Sequence, residues 1–353
     1  MTNFWRGRRV LVTGQTGFKG SWLCLWLRHL GAEVSAFALP PLTEPSLYAL
    51  AAPWPDQTHE IVDLRDGAAV RAAVARARPE IVFHLAAQAL VRASYRDPVG
   101  TYAANLMGTV HLLEAMRATA SVRAAVIVTT DKVYENDGRG RAFVETDRLG
   151  GKDPYSNSKA CAELATTAFR DTLLGDGAAV ATARAGNVVG GGDWSEDRLV
   201  PDVVRALLAG RPVALRYPGS VRPWQHVLEP LGGYLMLGER LLTRPEAAPR
   251  ALNFGPDHRS TLTVAEMVEI LSAAFDGAAG WEQAPGEHPP EAATLTLDSA
   301  LAGRSLGWFP RLSMEDTIGW TAEWYRGWRA GADPRELSLG QIRRYETLRN
   351  RET

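Results

Sequence analysis

The sequence predicts an α/β protein, built as a doubly wound parallel sheet with a smaller C-terminal lobe. Short apolar runs alternate with amphipathic helical patterns from Arg8 to Gly190. The spacing leaves room for a helix between successive runs, and such crossovers join parallel strands. Beyond Gly190 the alternation gives way to loop-rich and Pro/Gly-rich segments, which indicates a second lobe.

The predicted strands are rich in Val, Ile, Ala and Phe and end at glycine, proline or polar residues. In chain order they are "RRVLVTG" at 8–14, "EVSAFAL" at 33–39, "HEIVDLRD" at 59–66, "EIVFHLAAQ" at 80–88, "RAAVIVTTDK" at 123–132, "GAAVATARAGNVVG" at 177–190 and "ALNFGP" at 251–256.

Helices are predicted between these strands from apolar residues at helical spacing. The segment "GFKGSWLCLWLRHLGA" ends at Gly31, and "DGAAVRAAVARARP" is closed by Pro79. Further helices are expected near 98–118 and from Pro154 to about Arg170. Near the C-terminus, tryptophans recur every fourth residue at Trp320, Trp324 and Trp328, which predicts a helix face packed on the body.

The composition indicates a globular protein. The chain has 353 residues, of which 46% are hydrophobic and 22% charged, so it can bury a sizeable core. A net charge of −1 gives no reason to expect a nucleic acid or a membrane as partner. No apolar run reaches the roughly 18 residues of a membrane span, and no signal-peptide pattern is present. We therefore expect a cytoplasmic protein.

Cysteine and histidine usage points to neither disulfides nor metal. Cys24 and Cys161 both fall in apolar helical patterns, so we expect buried free thiols in a reducing compartment. The seven histidines are scattered, and no metal-ligand spacing occurs. We expect no metal.

The segment "VTGQTGFKG" predicts a dinucleotide-binding loop, because it follows a strand and opens a helix. Gly14 permits the tight turn, Gly17 lets a diphosphate approach the backbone, and Gly20 lets the helix close onto the sheet. The helix N-terminus offers unpaired N–H groups to that diphosphate. Neither an acid nor a base ends the second strand, so NAD and NADP are not distinguished there. Asp63 either meets the adenine or caps the next helix.

Tyr155 and Lys159 lie one helical turn apart, so both side chains can reach one cleft. A phenol has a pKa near 10, and a neighbouring ammonium together with a cationic nicotinamide would lower it. Thr130 ends the fifth strand and can bind the same substrate hydroxyl. This set is suited to moving a hydride from an alcohol.

The stretches "TGQTGFKG", "HLAAQ", "TTDKVYEN", "PYSNSK" and "RAGNVVGGGDW" together resemble the extended short-chain dehydrogenase/reductase family. Within it, "GFKGSWL", "LPPLTEPSLY", "GGGDWSEDRLVPD" and "RPWQHVLEP" resemble the nucleotide-sugar 4,6-dehydratases over essentially the whole chain. The resemblance implies a redox centre of Thr130, Tyr155 and Lys159. It implies NAD as the cofactor, bound by Gly14, Thr16, Gly17, Phe18, Gly20, Asp63, Leu64, Leu85, Ala86, Ala87, Tyr155 and Lys159.

The predicted division assigns residues 1–186 plus 226–256 to a Rossmann domain that binds NAD. Residues 187–225 plus 257–353 then form the lobe that binds a nucleotide sugar. The resemblance also implies a homodimer built on the helices near 98–118 and 154–170, or a tetramer made from two such dimers.

Asp131 and Lys132 are not needed for a plain alcohol oxidation. A 4,6-dehydration also removes the proton on C5 and protonates the C6 hydroxyl as it leaves, which requires an acid and a base. We assign Asp131 as the acid, with a raised pKa, and Lys132 as the base, with a pKa lowered by cations such as Lys159. Glu135 is the rival base.

The sugar diphosphate needs cations and polar groups. Arg198 and Arg222 fall in loop-rich segments where a clamp would form, although a surface or interdomain salt bridge is the alternative role of each. The family pattern places Asn187 and Gln88 at the substrate, and His288 is a weaker candidate.

The resemblance implies conversion of CDP-D-glucose to CDP-4-dehydro-6-deoxy-D-glucose, an early step toward the deoxysugars of surface polysaccharides such as O-antigen. The choice of cytidine rests on the resemblance alone. The alternatives are a dehydratase or 4-epimerase of another nucleotide sugar, or a protein that binds NAD without catalysis.

Overall fold

The computed structural model describes residues 2–52, 54, 58–136, 138, 140–175, 177–256, 262–275, 280–286 and 295–350. Its strands, in chain order, are β1 Arg9–Thr13, β2 Glu33–Ala38, β3 His59–Ile61, β4 Ile81–His84, β5 Ala124–Val128, β6 Ala179–Ala185, β7 Asn187–Val189, β8 Val213–Leu215, β9 Val221–Arg222, β10 Trp224–His226, β11 Ala251–Phe254, β12 Leu262–Thr263 and β13 Trp281–Gln283.

The main sheet has seven parallel strands in the order β11-β6-β5-β4-β1-β2-β3. The predicted doubly wound sheet is therefore confirmed. The chain builds outward in one direction from β1 and in the other from β4, so the strand order reverses between these two neighbours. In open α/β sheets, ligands bind at the carboxyl ends of the strands beside such a reversal.

The run from 177 to 190, predicted as one strand, is interrupted. β6 ends at Ala185, and β7 leaves the main sheet to pair with β10. At the break, a Cβ on Gly186 would lie 3.0 Å from the Asp131 carboxylate. The side-chain-free Gly186 thus lets the chain turn away directly above the end of β5.

Each helix predicted from the sequence is present in the structure. The helices are α1 Thr2–Trp5, α2 Phe18–His29, α3 Leu47–Leu50, α4 Gly67–Ala77, α5 Val91–Arg96, α6 Pro98–Tyr102, α7 Gly108–Arg117, α8 Pro154–Thr172, α9 Leu199–Leu208, α10 Leu228–Thr243, α11 Val264–Ala274, α12 Ala300–Leu306, α13 Met314–Arg329 and α14 Pro334–Asn350. A π-helical segment, Ala103–Met107, joins α6 to α7, and single 3₁₀ turns span Asp131–Val133 and Pro245–Ala247.

Local chemistry fixes where the site-bearing helices begin. Asp153 caps α8 by accepting a hydrogen bond from Ser156 N, and Pro154 occupies the first turn. By contrast, Gly17 begins α2 without a side-chain cap. The first turn of α2 therefore has no side chain of its own on the N–H groups that a ligand would use.

Apolar residues cover both faces of the sheet. One cluster includes Trp22 and Trp26 of α2 together with residues of α10, α13 and α14. The other joins the sheet to α4 and α7. Trp320 and Trp324 are buried and Trp328 packs edge-on against Trp194, so the predicted aromatic face of α13 is confirmed.

The free cysteines differ from the prediction in one respect. Cys24 is buried in the core, whereas Cys161 on α8 is only half-buried. In the described part of the chain, no helix has the length and apolarity needed to cross a bilayer.

Candidate active site

A cavity of about 1100 Å³ opens at the carboxyl ends of β1, β4, β5 and β6. It extends from the glycine loop after β1 to the segments around β7, β8 and β9. Its size exceeds the range of about 300–1000 Å³ usual for one small ligand, so a dinucleotide and a second substrate can share it. No cluster with metal-ligand chemistry occurs among the residues that the structure describes.

The glycine loop requires two of its glycines for steric reasons. Gly14 has φ +85°, and a Cβ there would lie 2.7 Å from Ala86 N. A Cβ on Gly20 would lie 1.9 Å from Gly14 O, so α2 could not pack so close to the loop. At Gly17 the nearest atom to a Cβ is 3.4 Å away, and the residue faces the cavity.

The end of the cavity nearest β2 and β3 is bordered by residues of the glycine loop and of the segment after β3. Thr16 and Phe18 line the cavity, and the Thr16 hydroxyl donates to Leu39 O at 2.8 Å. Asp63 and Leu64 also line it. The alternative role of Asp63 as a helix cap is wrong, because the cap of α4 is Asp66. Asp63 instead accepts from Arg65, whose hydrogen bond holds the pKa of the Asp63 carboxyl below its usual value.

Leu85, Ala86 and Ala87 follow β4 and line the cavity as predicted. Gln88 lines it too, but its side chain is engaged in the loop. Its amide nitrogen donates to Thr101 Oγ1 at 3.0 Å, and its oxygen accepts from Leu90 N at 2.6 Å. Gln88 therefore shapes this wall of the cavity.

Thr130, Tyr155 and Lys159 converge at the end of β5. Tyr155 is hydrogen-bonded to Thr130. In the protein alone, burial raises the pKa of Tyr155, and the Lys132 ammonium opposes that rise only in part. The lowering expected with a cationic nicotinamide beside the phenol stays a prediction. Lys159 donates from Nζ to Val128 O at 3.1 Å. Burial lowers the pKa of Lys159 to about 8, against the opposing effect of the Glu163 carboxylate.

A buried ion pair holds these elements in register. Glu163, one turn after Lys159 on α8, pairs with Arg184 of β6 at 2.8 Å, and both side chains are almost fully buried. Glu163 also accepts from the hydroxyls of Thr129 and Thr182. The network thus ties α8 to the carboxyl ends of β5 and β6, between which the reactive side chains lie.

Asp131 and Lys132 form a contact pair beside Thr130. Asp131 is buried, and its Oδ1 accepts from Thr130 Oγ1 at 2.8 Å and from Lys132 Nζ at 3.2 Å. The expected lowered pKa of Lys132 is wrong. Burial alone would lower it, but the Asp131 carboxylate and the Tyr155 phenol together raise it. Lys132 therefore carries a proton in the protein alone.

Glu135, the rival base, points elsewhere. Its carboxylate pairs with Arg148 at 3.0 Å, and the side chain is half exposed. It does not appear among the described residues that line the cavity.

The structure places the substrate-side candidates around the opposite wall. Asn187, Arg198 and Arg222 all line the cavity. Arg198 lies 3.4 Å from Asp193, so its alternative role in a salt bridge is realised in the protein alone. Arg222 is close enough to Lys132 to influence the pKa of that lysine. His288 lies outside the described residues.

Sequence reasoning missed several charged residues of the cavity. Arg92 of α5 pairs with Asp197 at 2.8 Å, and Arg216 lies 3.7 Å from the same carboxylate. No spacing in the sequence links these three positions. Lys19 also lines the cavity, and its position among the apolar residues of α2 was a signal that could have been used.

The residues present fit a bound dinucleotide. Gly14 is left-handed, Gly20 approaches the loop closely, and α2 starts at the cavity without a side-chain cap on its first N–H groups. A diphosphate can therefore approach the backbone at this helix start without meeting a side-chain cap.

Comparisons with known proteins agree with this geometry. Residues 10–249 match the model of the NAD dependent epimerase/dehydratase family. A CDP-glucose 4,6-dehydratase of Salmonella typhimurium is 43% identical over 99% of each chain. A dTDP-glucose 4,6-dehydratase of Streptomyces griseus is 30% identical over 92% of this chain and 96% of the relative.

Solved structures show the same architecture. A dTDP-glucose 4,6-dehydratase of Streptomyces venezuelae with NAD bound has a TM-score of 0.77 and 25% identity, covering 93% of this chain and 99% of that one. A UDP-glucose 4-epimerase of Thermus thermophilus in complex with NAD has a TM-score of 0.75 and 28% identity, covering 90% of this chain and 99% of that one.

Proposed function

Because this chain belongs to the NAD dependent epimerase/dehydratase family, we propose that it converts CDP-D-glucose to CDP-4-dehydro-6-deoxy-D-glucose and water. The observation that carries the proposal is the Asp131–Lys132 pair, in contact with Thr130 and beside Tyr155. This arrangement joins groups for an elimination to groups for an oxidation. The 43% identity to a CDP-glucose 4,6-dehydratase supports the same reaction and the cytidine nucleotide.

Oxidation at C4 of the sugar needs a group that takes the proton of the C4 hydroxyl. A bound NAD would supply the acceptor for the hydride from C4 and the donor that returns it to C6 of the same sugar. Thr130 orients the hydroxyl, and Tyr155 takes its proton. Burial raises the pKa of Tyr155, so a cation close to the phenol must stabilise the phenolate. Lys132 supplies one such charge, and Lys159 fixes the end of β5 through Val128.

The elimination follows from the C4 ketone. The ketone acidifies the C5 proton, and the C6 hydroxyl lies β to it and leaves as water. Asp131 and Lys132 are 3.2 Å apart, so one proton transfer converts their ion pair into a neutral acid and a neutral amine. Once Tyr155 has taken the C4 proton, its negative charge no longer raises the pKa of Lys132, and this change favours the neutral pair. Asp131 then protonates the C6 oxygen, and Lys132 removes the C5 proton. When the hydride reaches C6, Lys132 returns a proton to C5, which completes the 4-keto-6-deoxy sugar.

The nucleotide sugar lies against the wall formed by Asn187, Arg198 and Arg222. Arginines hold phosphates by charge-assisted hydrogen bonds. We assign the two arginines to the diphosphate. Residues 187–225 plus 257–353 are the proposed substrate lobe, and 1–186 plus 226–256 the proposed NAD domain.

The test is incubation of the purified chain with CDP-, dTDP-, GDP- and UDP-glucose, followed by alkaline ultraviolet absorbance of the 4-keto-6-deoxy product. Product from CDP-glucose with NAD present supports the proposal. Product formed only from another nucleotide-glucose would still support a dehydratase, but one that recognises a different nucleobase. Interconversion of glucose and galactose without loss of water would indicate an epimerase.

We also propose a homodimer through α6, the π-helical segment and α8. Val99, Met107 and Leu164 are large apolar residues that this face exposes to solvent. Leu164→Lys should shift the mass measured by light scattering toward the monomer. Leu208→Lys, at an exposed leucine of α9, should not. Equal masses for both variants would contradict the proposed interface.

A further inference from the structure

Arg216 lies on the cavity wall directly after β8, in the part of the chain that follows α9. Its side chain is half-buried, and its nearest carboxylate is that of Asp197, whose Oδ1 is 3.7 Å from Nη2. That separation is longer than a hydrogen bond, and the same oxygen already accepts from Arg92 at 2.8 Å. Within the described part of the chain, the guanidinium of Arg216 therefore has a charged neighbour but no hydrogen-bonded acceptor.

The strand before Arg216 presents it to the cavity. Val213 and Leu215 of β8 are buried. Because side chains alternate along a strand, Ala214 and Arg216 lie on the opposite face, and both line the cavity. Gln283 of β13 fixes the backbone here, since its Nε2 donates to Arg216 O at 2.8 Å. Ala214 contributes only a methyl group, which leaves room beside the guanidinium for a flat ligand.

The order of groups along the cavity indicates which part of the substrate meets Arg216. The sugar must reach Tyr155, and Arg198, which is assigned to the diphosphate, acts electrostatically on that phenol. Arg216 instead acts on Asp202 of α9, farther along the wall. Tyr217 adds an aromatic ring to the same end. With the sugar at the redox centre and the diphosphate next to it, the nucleobase is the part left for this end.

We propose that Arg216 determines the preference for cytosine by donating two parallel hydrogen bonds, to N3 and O2 of the base. This inference rests on the proposed function and names the residue that selects its nucleotide. In cytosine both atoms are acceptors on one edge of the ring, which suits the planar fork of a guanidinium. Uracil and thymine carry a hydrogen on N3, so one N–H of the fork would face another donor.

Binding of a phosphate is the alternative role of this arginine. The two roles differ in what they distinguish, because every nucleotide carries the same phosphates, whereas the N3 position differs between the bases. Loss of a phosphate contact should weaken all nucleotides alike, and loss of a base contact should weaken mainly the cytidine nucleotide.

The experiment measures the affinities of CDP and UDP for the full-length chain with NAD present, by calorimetric titration. The wild type should bind CDP more tightly than UDP. Arg216→Met should weaken CDP binding by about 10- to 100-fold, as for one bidentate contact to a base edge, and leave UDP within about threefold. Arg216→Lys keeps the charge but not the fork, so it should also lose the preference. Arg222→Met is the control and should weaken both nucleotides by a similar factor.

A change in the ligand tests the same contact in the wild type. In 3-deazacytidine diphosphate a C–H group replaces N3, so this analogue should bind at least about tenfold more weakly than CDP. Arg216→Met should bind the analogue and CDP alike. Undiminished binding of the analogue by the wild type would overturn the inference without any variant. Equal weakening of CDP and UDP in Arg216→Met would overturn it in favour of the phosphate. A wild type that prefers UDP to CDP would instead contradict the cytidine nucleotide of the proposed function.

Discussion

The cofactor side and the substrate side of the cavity are built differently. On the cofactor side, backbone packs on backbone: a Cβ on Gly20 would lie 1.9 Å from Gly14 O. On the substrate side, partly exposed side chains of opposite charge pair across the cavity wall, as Arg92 and Asp197 do at 2.8 Å. The first arrangement is complete without a ligand. The second must exchange at least part of its pairing for contacts to a diphosphate.

This difference predicts two kinds of response to mutation. Tightly packed backbone cannot shift slightly to accommodate an added atom. Substitutions on the cofactor side should therefore either leave NAD binding intact or abolish most of it. A partly exposed ion pair contributes about 0–1 kcal/mol, so its loss on the substrate side should have a graded effect.

Gly20→Ala should have the largest effect. The added methyl group meets backbone that cannot move aside, so NAD affinity should fall by at least about 100-fold, and overpacking should cost about 1–3 kcal/mol of stability. Calorimetric titration and thermal unfolding measure both quantities. Gly319→Ala is the control, because its Cβ meets no atom within 4 Å in α13. If Gly20→Ala bound NAD as tightly as the wild type, the proposed difference between the cofactor side and the substrate side would be contradicted.

Asp131→Asn tests the group that lies between the two sides. The amide keeps the size of the side chain but cannot act as an acid, so dehydration should slow by about 10²–10⁴-fold. Oxidation at C4 should persist, since Thr130 and Tyr155 are intact. Single-turnover absorbance of reduced nicotinamide should then build up without a 4-keto-6-deoxy product. Full dehydration by this variant would show that another residue supplies the proton.

Arg222→Met should weaken substrate binding in a graded way. Loss of a charge-assisted hydrogen bond of about 1.5–3 kcal/mol corresponds to a KM roughly 10- to 150-fold higher. The effect on kcat should be smaller, because Arg222 is the weakest of the influences on the pKa of Lys132 and makes its main contribution through the diphosphate. Arg304→Met, at an exposed arginine of α12, is the control. A change in kcat alone would place Arg222 at the reacting sugar.

The environment of Glu229 predicts that the stability of the fold, through the attachment of its C-terminal segment, depends on pH. This buried carboxyl on α10 accepts from Tyr345 Oη and from the N–H groups of Arg311 and Leu312. Burial raises the pKa of Glu229 to about 7. The stability that the protonated carboxyl contributes is therefore fully present below the pKa of Glu229 in the unfolded chain, and it is lost as pH rises through about 7.

Glu229→Gln removes that titration. Between roughly pH 5 and 7, the free energy of unfolding of the wild type should fall relative to the variant by up to about 1.4 kcal/mol per pH unit. Urea unfolding at several pH values measures the difference. A constant difference between the two proteins across this window would contradict the raised pKa.

Asp197→Asn should have the smallest effect. The change weakens the pairing of Arg92 and Arg216 without altering the shape of the side chain, and asparagine tolerates the φ of +57° found at this position. If the diphosphate competes with Asp197 for these arginines, KM should fall by less than about threefold. A rise in KM would show that Asp197 itself contacts the substrate.

The two sides also differ in how far the sequence predicts them. The glycine loop and the Tyr155–Lys159 spacing are local patterns, and the structure brings both to the cavity. The pairing of Arg92 with Asp197 joins residues far apart in the chain, so no window of sequence reveals it. The break at Gly186 lies against Asp131, which is a tertiary contact that no local pattern reveals.

The protonation states were the least predictable feature. Lys132 and Lys159 are both lysines close to Tyr155, yet the pKa of Lys132 is raised and that of Lys159 is lowered to about 8. The sign depends on whether a carboxylate outweighs burial. Asp131 and Tyr155 together outweigh burial for Lys132, whereas Glu163 does not outweigh it for Lys159. Such a balance can be read only from three-dimensional neighbours.

The central claim is that the hydrogen taken from C4 returns to C6 of the same sugar. CDP-glucose carrying deuterium at C4 tests it directly, with the product examined by mass spectrometry and proton NMR. We predict a 4-keto-6-deoxy product with deuterium in its C6 methyl group, and one solvent-derived hydrogen at C5. A product without deuterium at C6, or deuterium lost to the solvent, would contradict the account.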